Sequence, residues 1–265
     1  MEYEDSSILE SSLPLTKKLL NYGADINYTD SFGRNALFSR YCSVEKAKLL
    51  INAGININQV DRDGNNALFG AAPAKMKVLL ENKINVNQTN IDNQNALFGH
   101  INLIQARLLI KHGIDINQID RFERNAAFYT SYPDVLSLLI KNKINTNQED
   151  CTGNIILFHT HDPKNRDMLI KKGADIHHKN YDNENVLFYS GSSFENFSFY
   201  LNQGVDHSLV NKSGKNVENV LLKNCMLKEL IEPYLNYLIV YREKQILSKI
   251  ISENISEEKL KVKRL

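Results

Sequence analysis

Apolar and polar residues follow two recurring phrases along this chain. The first is Asn-Ala-Leu-Phe or a near variant, starting at Asn35, Asn66, Asn95, Asn125, Ile155 and Asn185. Its spacings are 31, 29, 30, 30 and 30 residues, and a degenerate copy starts at Asn216. The second is a Gly or Lys followed by alternating apolar and Asn or Asp residues, starting at Gly23, Gly54, Lys83, Gly113, Lys143, Gly173 and Gly204. Two phrases locked in phase mark an internal repeat, and a repeat array buries its core by stacking neighbouring copies.

Each copy reads as two short antiparallel helices and an extended finger. Eleven residues before each Gly or Lys stands Ser12, Ser43, Ala72, Asn102, Tyr132, Asp162 or Ser193. Five of these are residue types that cap helix N-termini. Pro73, Pro133 and Pro163 follow where a missing N–H costs nothing. The second helix carries an apolar stripe, Met76, Leu79 and Leu80 or Ala106, Leu109 and Ile110, at core-facing spacing. The closing Gly predicts a left-handed C-terminus. The first helix is expected from about Ala36 to Tyr41, capped by Asn35. In the finger, Gly33, Gly64, Asn93, Glu123, Gly153, Asn183 and Gly214 share a turn position suited to positive φ; Glu123 is expected to alter its turn.

Stacking places Leu19, Leu50, Leu79, Leu109, Leu139, Leu169 and Tyr200 in one core column. Thr146, Arg166 and His207 replace apolar residues late in the chain, which predicts looser packing there. Val220, Leu221, Met226, Leu227, Leu230 and Ile231 suggest a closing helix pair. After Pro233, the stripe Leu235, Leu238, Ile239, Ile246, Leu247, Ile250 and Ile251 predicts a helix covering the open end of the stack, followed by an irregular basic tail from Lys259 to Leu265. The expected division is residues 1–231 for the array and 232–265 for the extension and tail.

Composition narrows the function. Of 265 residues, 42% are hydrophobic and 24% charged, and 32 basic side chains against 31 acidic give a net charge of +1. No overall field favours nucleic acid or a membrane surface. The acidic start Met1-Glu2-Tyr3-Glu4-Asp5 lacks the apolar run of a secretory signal, and Leu235 to Tyr241 is too short to span a bilayer. With three scattered cysteines, Cys42, Cys151 and Cys225, this points to a cytoplasmic protein or one exported by a non-classical route. No phosphate-binding loop, nucleophile elbow or zinc-spaced cysteine cluster occurs, so no catalytic residue, cofactor or metal is assigned. The competing class is a metal- or ligand-binding enzyme using His159, His161 and Asp162 near Cys151, but Asp162 is already expected as a helix cap.

The order of finger, short helix, and helix ending in Leu-Leu-x-x-x-Gly-Ala-Asp-x-Asn resembles the ankyrin repeat family over about residues 8–231. Two departures are the Asn-Ala-Leu-Phe opening in place of Thr-Pro-Leu-His and a period near 30 instead of 33. The resemblance implies an all-α, ankyrin-type repeat solenoid of about seven helix pairs with a C-terminal capping helix extension. It also implies protein binding through finger tips and a concave face of first helices, in a chain that is monomeric when free. On that basis the partner-binding candidates are Phe32, Arg40, Tyr41, Arg62, Ile91, Arg121, Phe122, Tyr129, Tyr132, His159, His161, Tyr181 and Tyr189. Tyr129, Tyr132 and Tyr189 are read as water-facing rings that the fold does not need. The Asn-, Ile- and Lys-rich flavour is similar to small bacterial ankyrin proteins. Among these the expected roles are an immunity or antitoxin protein that occludes a toxin, or a secreted effector that binds a host protein.

Overall fold

The computed structural model describes residues 8–130, 132–224 and 228–262. Seven nine-residue helices recur at the repeat period: α1 (Leu13–Asn21), α2 (Val44–Asn52), α3 (Pro73–Glu81), α4 (Leu103–Lys111), α5 (Pro133–Lys141), α6 (Pro163–Lys171) and α7 (Phe194–Asn202). Two more follow, α8 (Val217–Asn224) and α9 (Lys228–Val262). Among the described residues there is no strand, and the fold is of the all-α repeat-solenoid class. The chain divides into two compact units, Met1–Cys151 and Thr152–Leu265.

The ends of these helices follow from their residues. The side chains of Ser43, Asn102, Asp162 and Ser193 accept from backbone N–H groups of the first turn, satisfying donors that have no intrahelical partner. Ser12 makes no such bond. At the far ends Gly23, Gly54, Gly113, Gly173 and Gly204 have positive φ, and Lys83 (63°) and Lys143 (66°) adopt the same left-handed conformation. Glu123 does likewise at φ 63°, and its N–H bonds the Asp120 carbonyl as Gly33 N–H bonds that of Asp30. The finger turn expected to change at Glu123 is therefore unchanged. Its hydrogen bonds hold a side chain in a conformation glycine takes without strain.

The first helix of each pair is shorter than expected. Ala36 to Tyr41 forms only turns, and later copies are single 3-10 turns at Ala96–Phe98, Ala126–Tyr129 and Ile156–His159, with a longer one at Val186–Ser192. Within the period of about 30 residues the second helix is nine residues long in every copy, and the first is at most a single turn in most of them. One α-helix per repeat, not two, is the result.

Leu50, Leu79, Leu109 and Leu139 are buried in the first unit, and Leu169 and Tyr200 in the second. Leu19 is half-buried. Two of the three polar residues expected to loosen the late repeats are accommodated in the core. Arg166 is buried, with its guanidinium 3.8 Å from the Phe199 ring centroid, 2.7 Å from Asn196 Oδ1 and 2.8 Å from Asp167 Oδ1. Thr146 is also buried. His207 keeps the expected defect, a buried Nδ1 without a partner, and among the described residues Asn165 Oδ1 and Tyr200 Oη in the same late repeats are likewise buried and unpartnered.

Helix α9 starts before Pro233 and contains it. Its first half packs on α7: Tyr234 and Leu238 are buried, and the Tyr234 ring lies 5.2 Å from both Phe194 and Phe197. Ile239, Ile246, Leu247, Ile250 and Ile251 remain exposed, so only the start of the expected stripe is covered. The helix continues to Val262 through the tail expected to be irregular. Met1 to Asp5, Cys225, Met226, Leu227, the side chains of Leu230 and Ile231, and Lys263 to Leu265 lie outside the described residues.

Candidate partner-binding surface

The fingers are built by one repeated device. In six of them an Asp or Asn oxygen accepts from the N–H groups two and four residues on, at Asp30, Asp61, Asn90, Asp120, Asn180 and Asn211. This Asx turn fixes the tip without help from a core. Neighbouring tips are then joined by backbone bonds. In the first unit Arg62 N–H bonds Phe32 O, Ile91 bonds Asp63, Arg121 bonds Asp92 and Cys151 bonds Phe122, at 2.8–2.9 Å. In the second unit Tyr181 bonds Thr152 and Lys212 bonds Asp182.

Amide ladders lock the same repeats lower down. Asn35, Asn66, Asn95 and Asn125 each use Oδ1 to accept the N–H two residues on, while Nδ2 donates across to Asn56, Asn85, Asp115 and Asn145 carbonyls at 2.7–2.8 Å. Gln59, Gln88, Gln118 and Gln148 donate Nε2 to the preceding finger. A third set reaches back from the third residue of the α-helices. Lys46 Nζ donates to the carbonyls of Ile8, Leu9 and Ser11, and Lys75 Nζ to those of Leu37 and Ser39. Gln105 takes Ala71, and Asn196 takes Thr160 and His161. Burial of both lysines holds their ammonium groups below the usual range. Sequence reasoning missed these residues. The available signal was a polar side chain in a row flanked by core positions.

This scaffold leaves large apolar side chains at the tips in water: Phe32 is 57% exposed, Ile91 70%, Phe122 40% and Tyr181 52%. Arginines accompany them. Arg34 lies 4.7 Å from the Phe32 centroid and Arg121 4.7 Å from that of Phe122, while Arg121 also pairs with Asp92 at 2.9 Å. Arg40 stacks on exposed Tyr41 and donates to its hydroxyl at 2.8 Å. Arg62 and Tyr132 are exposed. His159 and His161 are exposed as well, and Asp162 is occupied as the cap of α6. Among the described residues no group of three His, Cys, Asp or Glu is placed to hold a metal ion.

Tyr129 and Tyr189 depart from expectation. Both are half-buried, and both rings pack on a phenylalanine of the preceding repeat: Phe98 with Tyr129 at 5.6 Å, Phe158 with Tyr189 at 5.2 Å. Tyr129 Oη donates to Asp120, and Tyr189 Oη donates to Glu184 and accepts from Asn180. They belong to the scaffold as well as its surface, so truncating them would test folding along with binding. Burial, then the acidic hydrogen-bond partner, pushes each phenol up to about 12. Since an unfolded tyrosine ionises near 10, each contributes stability that is fully present below pH 10 and lost as pH rises through about 12. Replacing both with Phe should remove part of the late-ionising component of the tyrosinate absorbance and reduce the fall in stability over that window. An unaltered titration curve would contradict these assignments.

Residues 7–90 match the family model for ankyrin repeats in three copies. The finger, cap and ladder geometry continues beyond that segment, and the match supports the ankyrin repeat reading of the chain. No curated protein matches the chain. Ankyrin repeats are generally protein–protein interaction modules and typically non-enzymatic scaffolds. No helix among the described residues is long and apolar enough to cross a membrane.

Proposed function

We propose that this chain binds one partner protein through its finger tips and the adjoining first-turn surface, acting as an occluding inhibitor of the immunity or antitoxin kind. The observation that carries the reading is the placement of Phe32, Ile91 and Phe122 in water on a hydrogen-bonded ladder, with arginines stacked beside two of them. Rigid aromatic and arginine groups lose little entropy on association and so dominate binding hot spots. The ordered tips add pre-organisation. On the first unit Arg40, Tyr41, Arg62, Arg121 and Tyr132 complete the proposed surface, with Tyr129 supporting it; on the second unit the proposed contacts are His159, His161 and Tyr181, with Tyr189 supporting them.

The test is a triple variant, Phe32→Ala, Ile91→Ala and Phe122→Ala, compared with wild type by thermal melt and by calorimetric titration of a partner co-purified from the source cell. The melting temperature should hold, since these side chains enter no core. Binding should weaken by about 2 kcal/mol, the loss of one hot spot. Unchanged binding would place the interface elsewhere. An occluding inhibitor should abolish its partner's activity at equimolar ratio. A partner that stays active when bound would favour the host-directed effector reading instead.

A further inference from the structure

Two repeats carry a tyrosine directly after their Phe, and two consecutive repeats carry a glycine there. Where the residue after the Phe of a repeat is tyrosine, its ring covers the Phe of the repeat before: Tyr129 covers Phe98 and Tyr189 covers Phe158, leaving both phenylalanines buried. In the second and third repeats of the first unit this position is Gly70 and Gly99. The rings they would cover, Phe38 and Phe69, are only half-buried. Among the described residues neither has an aromatic ring or a cation over it.

The polar half of each place is also present. Tyr129 and Tyr189 send their hydroxyls to the finger residue nine positions earlier, Asp120 and Asn180. Nine positions before Gly70 and Gly99 stand Asp61 and Asn90, both in the same Asx turn. Asn90 Nδ2, the counterpart of the Asn180 Nδ2 that donates to Tyr189, has no protein partner among the described residues. A Cβ on Gly99 makes only ordinary contacts at 3.8 Å; Gly70 is also open within 4 Å, but its φ of 77° is a left-handed backbone that Tyr129 does not share, so the socket over Phe38 is framed by a different local turn. One repeat earlier, over Ser39, a cavity of about 410 Å³ opens between Leu9, Asp30, Phe38 and Tyr41.

We propose that these vacancies are side-chain sockets for a tyrosine-bearing segment of a protein partner. A phenol ring stacks on Phe69 with its hydroxyl accepting from Asn90 Nδ2, and an adjacent one stacks on Phe38 with its hydroxyl donating to Asp61. The chain's own Tyr129 and Tyr189 are the templates for this occupancy. An aliphatic side chain would fill the space without the ring stacking or the finger hydrogen bond, so tyrosine is the side chain selected. The proposal refines the protein-binding reading above and rests on it.

The test needs no natural partner. N-acetyl-tyrosinamide is titrated into the full chain while the Phe69 ring and Asn90 side-chain amide resonances are followed, with N-acetyl-leucinamide in parallel. Both resonances should shift with the tyrosine probe and stay still with the leucine one. Gly99→Tyr, at a backbone φ of −71° that any residue tolerates, should fill the socket from within. It should raise the melting temperature and weaken the probe's effect at Phe69 by roughly tenfold, the worth of one aromatic pair. Gly99→Ala should leave binding intact, and Phe69→Leu should lose it even if Gly99→Tyr fails to fold. Equal response to both probes, or an undiminished response at Phe69 in Gly99→Tyr, overturns the proposal. The tips take no part in this measurement, so a negative result here with the tip variant still losing its partner would sink the sockets alone.

Discussion

Replacing Lys46 with methionine should destabilise the first unit by about 2–4 kcal/mol in denaturant melts, although the apolar stem is nearly conserved. The ammonium group satisfies three carbonyls, buried ones of Ile8 and Ser11 and a part-buried one of Leu9. Each buried acceptor left without a donor costs roughly 1–3 kcal/mol, and relief of the ammonium's own desolvation offsets part of the sum. Gln105 fills the same helix position with an amide and takes one carbonyl, so Lys46→Gln should recover part of the loss. Two carbonyls depend on Lys75, which predicts the order Lys46, Lys75, Gln105 for truncation costs. The pH dependence has a definite sign. Burial lowers both lysine pKa values from 10.5, so the unfolded chain binds more protons than the folded one just below that pH. Stability from this source therefore rises as pH climbs through the depressed folded value toward 10.5. Below that folded value the full desolvation penalty remains. Lys46→Met should rise less steeply across that window. A variant as stable as wild type, or one with the same alkaline slope, would contradict the carbonyl-clamp role.

The repeat itself was legible because it is written twice per copy, in the Asn-Ala-Leu-Phe phrase and in the phrase that closes each helix. The nine-residue helices and the leucines from Leu50 to Leu169 follow local rules and stand where those rules put them, whereas Ser12 makes no cap bond and Leu19 is only half-buried. What was hidden lies between repeats. The asparagines at Asn35, Asn66, Asn95 and Asn125 read as caps, and they are caps, but their Nδ2 groups also bond the next copy, which only stacking reveals. Arg166 in a core row read as a packing defect; Asn196, thirty residues later, supplies the partner that makes it tolerable. The surface divides the same way. Finger tips are local, and Phe32, Ile91, Phe122 and Tyr181 are exposed as expected. Tyr129 and Tyr189 sit one residue after the Phe of their own repeats and pack on the preceding ones, so reading a copy by itself put both rings in water.

Leu109→Ala and Leu169→Ala should cost about the same, 2–5 kcal/mol each. The polar residues near Leu169 suggested a gradient of packing along the chain, with Leu109 the more expensive site. Both leucines are fully buried, and the neighbouring polar groups Arg166 and Asn196 are bonded to each other, so no softened surroundings remain to collapse into the cavity. The cost of such a deletion is the transfer free energy of the lost carbons plus the cavity that survives relaxation. Leu19 on α1 differs: it is half-buried, water already reaches it, and Leu19→Ala should cost less than either. Each unit's transition should be followed separately, because an array of repeats need not unfold in one step. A Leu169→Ala loss less than half that of Leu109→Ala would restore the gradient and show that the buried arginine leaves its repeat loosely packed.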